Sequence, residues 1–198
     1  MRRFLIAAAL AAAAVCFVAC AGEAPEAEEE DAVPPAKPGA ASTWEDVLGK
    51  ALPALGHRNW IVVADAAFPW QITPGMEVIA ASEDHFAVLD KVLKAIDGSR
   101  HIRPKIHLDK ELAFVTEALS PGADACRGKL DERLKGRDVD SVLHEELIAR
   151  LDQAGKTFKV LMIKTTLTIP YTTVFMELDC GYWPTESEAR MREAMKKK

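Results

Sequence analysis

The chain has 198 residues, 49% of them hydrophobic and 28% charged, with a formal net charge of −5. From about Thr43 to Lys198 this is the length of one domain, enough for a single sizeable core. The acidic balance argues against a nucleic-acid partner.

The N-terminus reads as an export signal. Met1-Arg2-Arg3 precedes an apolar, Ala-rich stretch, Phe4 to Val15, that is too short and too poorly flanked for a membrane span. Phe17-Val18-Ala19-Cys20 then reads like a bacterial lipobox with Cys20 as the lipidated residue, although Ala19-Cys20-Ala21 also satisfies the small-x-small rule of ordinary cleavage. Residues 1–20 are therefore expected to form a lipoprotein-type signal segment. The protein would be exported and anchored to a bacterial membrane, on its periplasmic or cell-surface face, through the N-terminal lipid only. Residues 21–42 follow as a linker. They combine Glu23, Glu26 and Glu28-Glu29-Glu30-Asp31 with Pro25, Pro34, Pro35 and Pro38, and lack apolar periodicity. Such a segment cannot bury enough surface to offset its ordering entropy and is expected to be disordered.

Beyond the linker, helical and strand-like patterns alternate, the mark of an α/β fold. Ser42-Thr43-Trp44-Glu45 predicts a capping box opening a helix to about Leu55, shortened by Pro53 and ended by Gly56. Trp60 to Ala64 is continuously apolar, so it predicts a central strand covered on both faces. A short strand over Glu77 to Ala81 follows, then a helix over Glu83 to Ile96 capped by Ser82. Ile102 to Leu108 predicts a strand interrupted by Pro104, and Asp109 to Leu119 a helix. Ala123 to Leu134 and Val139 to Ala154 predict two further helices. Lys159 to Leu167 and Thr172 to Leu178 are rich in β-branched and aromatic residues and predict two strands around a Pro-bearing connection. Residues 184–198 predict a charged terminal helix with Glu186–Arg190 and Glu188–Arg192 pairs.

Cys126 and Cys180 are the cysteines of this folded part. In an oxidising compartment they could pair, or they could sit as two small buried hydrophobes. His85, His101, His107 and His144 form no His-x-x-x-His pair, and His101 and His107 stand roughly 20 Å apart on an extended strand. No metal site is expected.

Leu55-Gly56-His57, the strand Trp60 to Ala64 and then Asp65-Ala66-Ala67-Phe68-Pro69 resemble the N-terminal signature of the ribose pyranase / fucose mutarotase family. Pro170-Tyr171, running into Val174 to Leu178 and Gly181, resembles that family's closing segment. The resemblance covers most of Thr43 to Tyr182, the span 43–183 being the mutarotase-like domain. It implies a three-layer α/β/α sandwich with a mixed sheet and a homo-oligomeric ring, typically a decamer, whose sites are shared between adjacent subunits. The family interconverts ring forms or anomers of monosaccharides without a cofactor, so the implied partners are a monosaccharide and further copies of this chain. Three positions depart from the pattern. Ala154-Gly155-Lys156-Thr157 crosses directly where a His-bearing insert is usual, Leu167 stands where an acid is expected, and Thr173 replaces an Asn.

Opening a sugar hemiacetal requires a base at the anomeric hydroxyl and an acid at the ring oxygen. On that reading the candidate catalytic residues are His57 as acid/base, Asp65 as its partner or an acceptor for a sugar hydroxyl, and Tyr171 as donor. Phe68, Lys164 and Thr173 are the candidate substrate contacts. A non-catalytic monosaccharide-binding or ring-assembly lipoprotein of the same fold is the alternative.

Overall fold

The computed structural model describes residues 42–197. The signal segment 1–20, the lipidation candidate Cys20 and the linker through residue 41 lie outside the described residues. The elements in chain order are α1 (Trp44–Ala51), β1 (Trp60–Ala64), β2 (Met76–Ala80), α2 (His85–Asp97), β3 (Ile102–Asp109), α3 (Ala123–Leu134), β4 (Val139–Val142), α4 (His144–Gly155), β5 (Val160–Lys164), β6 (Val174–Cys180) and α5 (Thr185–Lys196). The strands form one six-stranded sheet in the order β2-β5-β1-β6-β3-β4. β2, β5 and β1 run parallel to one another, β3 and β4 run parallel, and β6 is antiparallel to both its neighbours, β1 and β3. The fold is therefore α/β with a mixed sheet.

Alternation along the central strands sends side chains to two cores, as a period of two requires. Ile61, Val63, Leu161, Ile163, Val174 and Met176 pack with residues of α1, α2 and α3 on one face. Trp60, Val62, Val160, Met162 and Phe175 pack with Leu147 and Leu151 of α4 on the other. Every residue of β1 is buried, which is why its sequence shows no polar alternation.

Local chemistry shifts several predicted boundaries. The first capping box is made by Thr43 and Asp46, one position later than expected, and Pro53 turns the end of the helix into a 3-10 turn, Leu52–Ala54. Asp84, not Ser82, caps α2, accepting from the amides of Phe86 and Ala87. The helix expected over Asp109 to Leu119 is only a 3-10 turn, Lys110–Phe114, because the Arg127 guanidinium donates to the carbonyls of Leu112 and Val115 that a helix would use. The single helix expected from Val139 to Ala154 is really two elements. Val139–Val142 extends the sheet along β3, in register Ile106 to Val139 through Asp109 to Val142, and α4 starts only at His144. Cys126 is buried in α3 and Cys180 ends β6, both as free thiols.

Gly75 marks a close approach of chain segments. A Cβ there would lie 2.1 Å from the Phe158 carbonyl oxygen and 2.6 Å from that of Gly155. A Cβ at Gly49, on the exposed face of helix α1, would meet nothing. Gly75→Ala is therefore expected to destabilise the fold by about 1–3 kcal/mol through forced backbone displacement. Gly49→Ala should stabilise it by about 0.5–1 kcal/mol. Urea denaturation of the two variants checks the contrast in sign.

Candidate functional site

Because β1, β3, β4 and β5 all point the same way, the residues that follow them collect along one end of the sheet. Asp65 follows β1, Asp109 is the last residue of β3, His144 opens the helix after β4, and Thr165 follows β5. β6 runs in the opposite sense, so Tyr171, Thr172 and Thr173, which lead into it, arrive at the same end. Open α/β sheets bind ligands in the crevice beyond the carboxyl ends of their parallel strands.

Asp65 is almost buried, at 7% exposure. Its Oδ1 accepts from the Ala67 amide at 2.9 Å and its Oδ2 from the Thr173 hydroxyl at 2.8 Å, while its own amide donates back to Thr173 Oγ1 at 3.2 Å. Thr173 thus acts as a clamp on Asp65. The carboxylate borders a cavity of about 260 Å³ lined also by Ala66, Ala67, Thr168, Ile169 and Pro170. That is smaller than the ~300–1,000 Å³ of pockets for drug-sized ligands and matches a ligand of monosaccharide size.

The residue after Pro170 is Tyr171, held at φ 61°. A non-glycine residue in this left-handed region carries about 1–2 kcal/mol of strain. The turn directs its ring edge-on to His144, with centroids 5.3 Å apart. Among the described residues the Tyr171 hydroxyl makes no hydrogen bond. His144 also meets the Phe68 ring edge-on at 6.0 Å, and Phe68 in turn packs on Phe175. The Lys164 ammonium donates to the Phe68 carbonyl at 2.6 Å, fixing the loop after Asp65 from beneath. Phe68, Lys164 and Thr173 therefore shape the site, with Lys164 and Thr173 spending their polar atoms on protein partners.

His144 is the imidazole of this end. Its backbone amide donates to both carboxylate oxygens of Glu111, at 3.2 and 3.1 Å, which caps the otherwise uncapped α4. Its Nδ1 lies 3.0 Å from Asp109 Oδ1. The Asp109 side chain is fully buried while His144 retains 21% exposure. Burial pushes Asp109 up to about 6, against the opposing attraction of His144. With Asp109 ionised, Nδ1–H donates to it and Nε2 is left as a free acceptor, the orienting arrangement of an acid/base histidine.

A second histidine braces the same end. His85 is completely buried, with Nδ1 3.0 Å from Thr165 Oγ1, and Thr165 Oγ1 lies 2.9 Å from the Ala64 carbonyl. Burial pushes His85 down to about 4, so it is neutral near pH 7 and anchors the start of the 165–173 connection. His101 Nε2 donates to the carbonyls of Leu52 and Leu55, and His107 packs against Trp60. No group of three metal-ligating side chains gathers among the described residues.

His57 stands at the other end of the sheet. Seven residues, most of them in β1, separate it from Asp65, a span of roughly 20–25 Å. There its Nδ1 lies 3.1 Å from Asp179 Oδ1, and Arg58, at φ 71°, turns back so that its Nε donates to His57 Nε2 at 3.3 Å. Burial disfavours the Asp179 charge, yet Arg103, the Cys180 amide, Lys105 and His57 together hold its carboxyl well below the usual carboxylate range. Within one subunit, then, Asp65 and Tyr171 share an end and His57 does not. Sequence reasoning misses His144 because it falls inside the longer helix expected over Val139 to Ala154, and Asp109 because it opens the helix expected to Leu119. Glu145 and Glu146 were the available signal, since acidic residues favour the first turn of a helix.

No protein-family model matches the chain, and no curated protein matches it. Among solved structures it is similar to Bacillus subtilis RbsD complexed with D-ribose, at 21% identity over 67% of this chain and 91% of that one, with a TM-score of 0.48. It is also similar to a fucose mutarotase from Streptococcus pneumoniae in complex with L-fucose, at 18% identity over 67% and 91% of the two chains, TM-score 0.49. FucU from Bifidobacterium longum matches at 18% identity over 67% and 93%, TM-score 0.45. Likeness of this degree says nothing about chemistry.

The position of Asp109 has a consequence for stability. Its carboxyl titrates near 6 in the fold and near 3.8 when exposed. The native state therefore favours the proton, and stability contributed by the neutral acid is lost as pH rises from about 4 to about 6. Asp109→Asn, which cannot ionise, should remove up to about 3 kcal/mol of that pH dependence. Urea midpoints of both proteins from pH 4 to 7 check this; parallel curves would show that Asp109 titrates normally.

Proposed function

We propose that the protein is a monosaccharide mutarotase or pyranase that opens and recloses sugar rings by proton transfer, without a cofactor. The observation that carries the reading is the Asp109–His144 pair facing the same sheet end as the Asp65 cavity. Asp65, Ala66, Ala67 and Pro170, which belong to the segments carrying the sequence resemblance, line that cavity and support the same chemistry.

Each group has a role consistent with its geometry. Asp65, already accepting from Ala67 and Thr173, keeps lone pairs for a sugar hydroxyl. His144 Nε2 takes the proton of the anomeric hydroxyl, and the ring C–O bond breaks as the carbonyl forms. Tyr171 gives its phenolic proton to the departing ring oxygen. Rotation about the freed bond, followed by the reverse transfers, closes the other anomer. A different hydroxyl attacking the carbonyl closes a different ring size. Both residues end as they began, so no net proton or electron is consumed. In this reading His144 takes the acid/base role, and His57 could reach the cavity only from a second subunit of a ring. Export and an N-terminal lipid anchor belong to the same proposal and rest on residues 1–20.

One observation favours the binding-only alternative. Leu167, where the family pattern expects an acid, packs against the apolar core and leaves the cavity with fewer ionisable walls.

Exchange NMR of anomeric protons on a panel of pentoses and hexoses decides between them. A catalyst should broaden the anomeric lines of at least one sugar, with a rate rising as pH passes upward through about 6 and Asp109 gives up its proton. His144→Ala should lower that rate by roughly 10²- to 10⁴-fold. Broadening unchanged in His144→Ala would remove His144 from the mechanism. Sugar binding without broadening would leave a binding protein.

A further inference from the structure

We propose that the cavity at the opposite end of the sheet, between α5 and the start of β1, binds a small ligand through a phosphate or carboxylate group. The cavity is about 470 Å³ and is lined by His57, Arg103, Lys105, Asp179, Trp183 and Arg192, among others. Three permanent cations, Arg103, Lys105 and Arg192, stand against two carboxylates, Asp179 and Glu188, an excess of one positive charge that becomes two when His57 is protonated.

The two carboxylates are arranged as organisers and not as competitors for an anion. Asp179 is only 15% exposed, and both its oxygens are occupied. Oδ1 lies within reach of His57 Nδ1 at 3.1 Å and accepts from the Cys180 amide at 2.8 Å; Oδ2 meets Arg103 Nη2 at 2.9 Å and Lys105 Nζ at 3.4 Å. Glu188 accepts from the Trp183 indole at 2.7 Å and pairs with Arg192 at 2.6 Å. The cations keep donors to spare, and the Arg103 and Lys105 side chains remain 40% and 46% exposed. A guanidinium and an ammonium gathered around a sunken carboxylate present the donor geometry that planar or tetrahedral oxyanions take up.

The lid of this cavity supports a ligand as well. Helix α5 fully buries none of its residues, so little apolar burial holds it beside the cavity. Its first residue, Thr185, meets the chain through Arg103 Nη2 at 3.4 Å, and Trp183, 42% exposed, offers an indole wall beside the cations. A ligand bridging Arg103, Lys105 and Arg192 would join helix and sheet. The sugar chemistry proposed at the other end of the sheet is not required.

The test is an NMR titration of the full chain at low ionic strength with inorganic phosphate, D-ribose 5-phosphate, D-glucuronate and D-ribose, reading the His57 imidazole resonances. The expected result is a saturable shift with the anionic probes, none with D-ribose, and slower hydrogen exchange in α5 when bound. Saturation by the phosphates alone assigns a phosphate ligand, and saturation by glucuronate alone a carboxylate. Arg103→Gln with Lys105→Gln should weaken binding at least 10-fold, and Lys105→Gln alone, at a half-exposed position, serves where the double variant folds poorly. His144→Ala should leave this binding unchanged, which separates it from the sugar site. A shift that grows linearly with any salt, or saturable binding that survives the double variant, overturns the proposal.

Discussion

The shared direction of β1, β3, β4 and β5 is the constraint on which the site depends. Backbone hydrogen bonding fixes their registers, Val63 and Ala64 against Ile163 and Lys164 on one side, and Leu108 and Asp109 against Ser141 and Val142 on the other. Each strand must then release its next residue at the same level of the sheet. β6 completes the arrangement by running backwards between β1 and β3, so that the turn at Tyr171 lies between Asp65 and Asp109 in space while following both in sequence. A slip of one residue in β6 would turn Val174 and Met176 out of one core and Phe175 out of the other. Core packing therefore guarantees the placement of the polar residues beyond it.

Burial then sets the chemistry. A solvated Asp109 would be ionised at any ordinary pH and would hold His144 only weakly. Taken out of water, the same carboxyl favours its proton up to about pH 6 and, once ionised, pulls strongly on the Nδ1–H. Destabilisation of that kind persists because the surroundings oppose relaxation. Glu111 fixes the backbone of His144, while Phe68 and Tyr171 confine its ring edge-on. The left-handed Tyr171 adds a second local cost at the same place.

The amino-acid sequence disclosed the central strands and the less buried β2 and β3, but hid β4. Trp60 to Ala64 is apolar throughout because helices cover both of its sides, and its limits were legible to the residue. β4 is four residues long, at the sheet edge, with three of them exposed, so Val139-Asp140-Ser141-Val142 carries no signal that a helix could not equally give. That one merger hid the start of α4 and with it His144. The same happened at Asp109, where a helical pattern was defeated by Arg127, a residue of the next helix reaching back to the Leu112 and Val115 carbonyls. The loop positions of Asp65, Phe68 and Tyr171 were legible because each lies near a Pro next to a strongly marked strand. Distance along β1 was legible too: seven residues separating His57 from Asp65, most of them in one strand, already implied opposite ends.

That separation gives the molecule a polarity worth taking seriously. At one end, Asp65 borders a small cavity and the Asp109–His144 pair lies at the same end of the sheet. At the other, Arg103 and Lys105 converge on Asp179, which is held ionised and cannot serve as a base at neutral pH. A proton shuttle needs groups poised near the ambient pH, whereas an anion clamp needs groups locked in one charge state. The two proposed roles place these opposite requirements at opposite ends of one sheet, and β1 joins them, with His57 before it and Asp65 after it. A strand this rigid, buried along its whole length, cannot bring the two residues together by bending. Any joint action of the two ends on one small sugar must come from apposition of separate subunits, the far end of one against the near end of another.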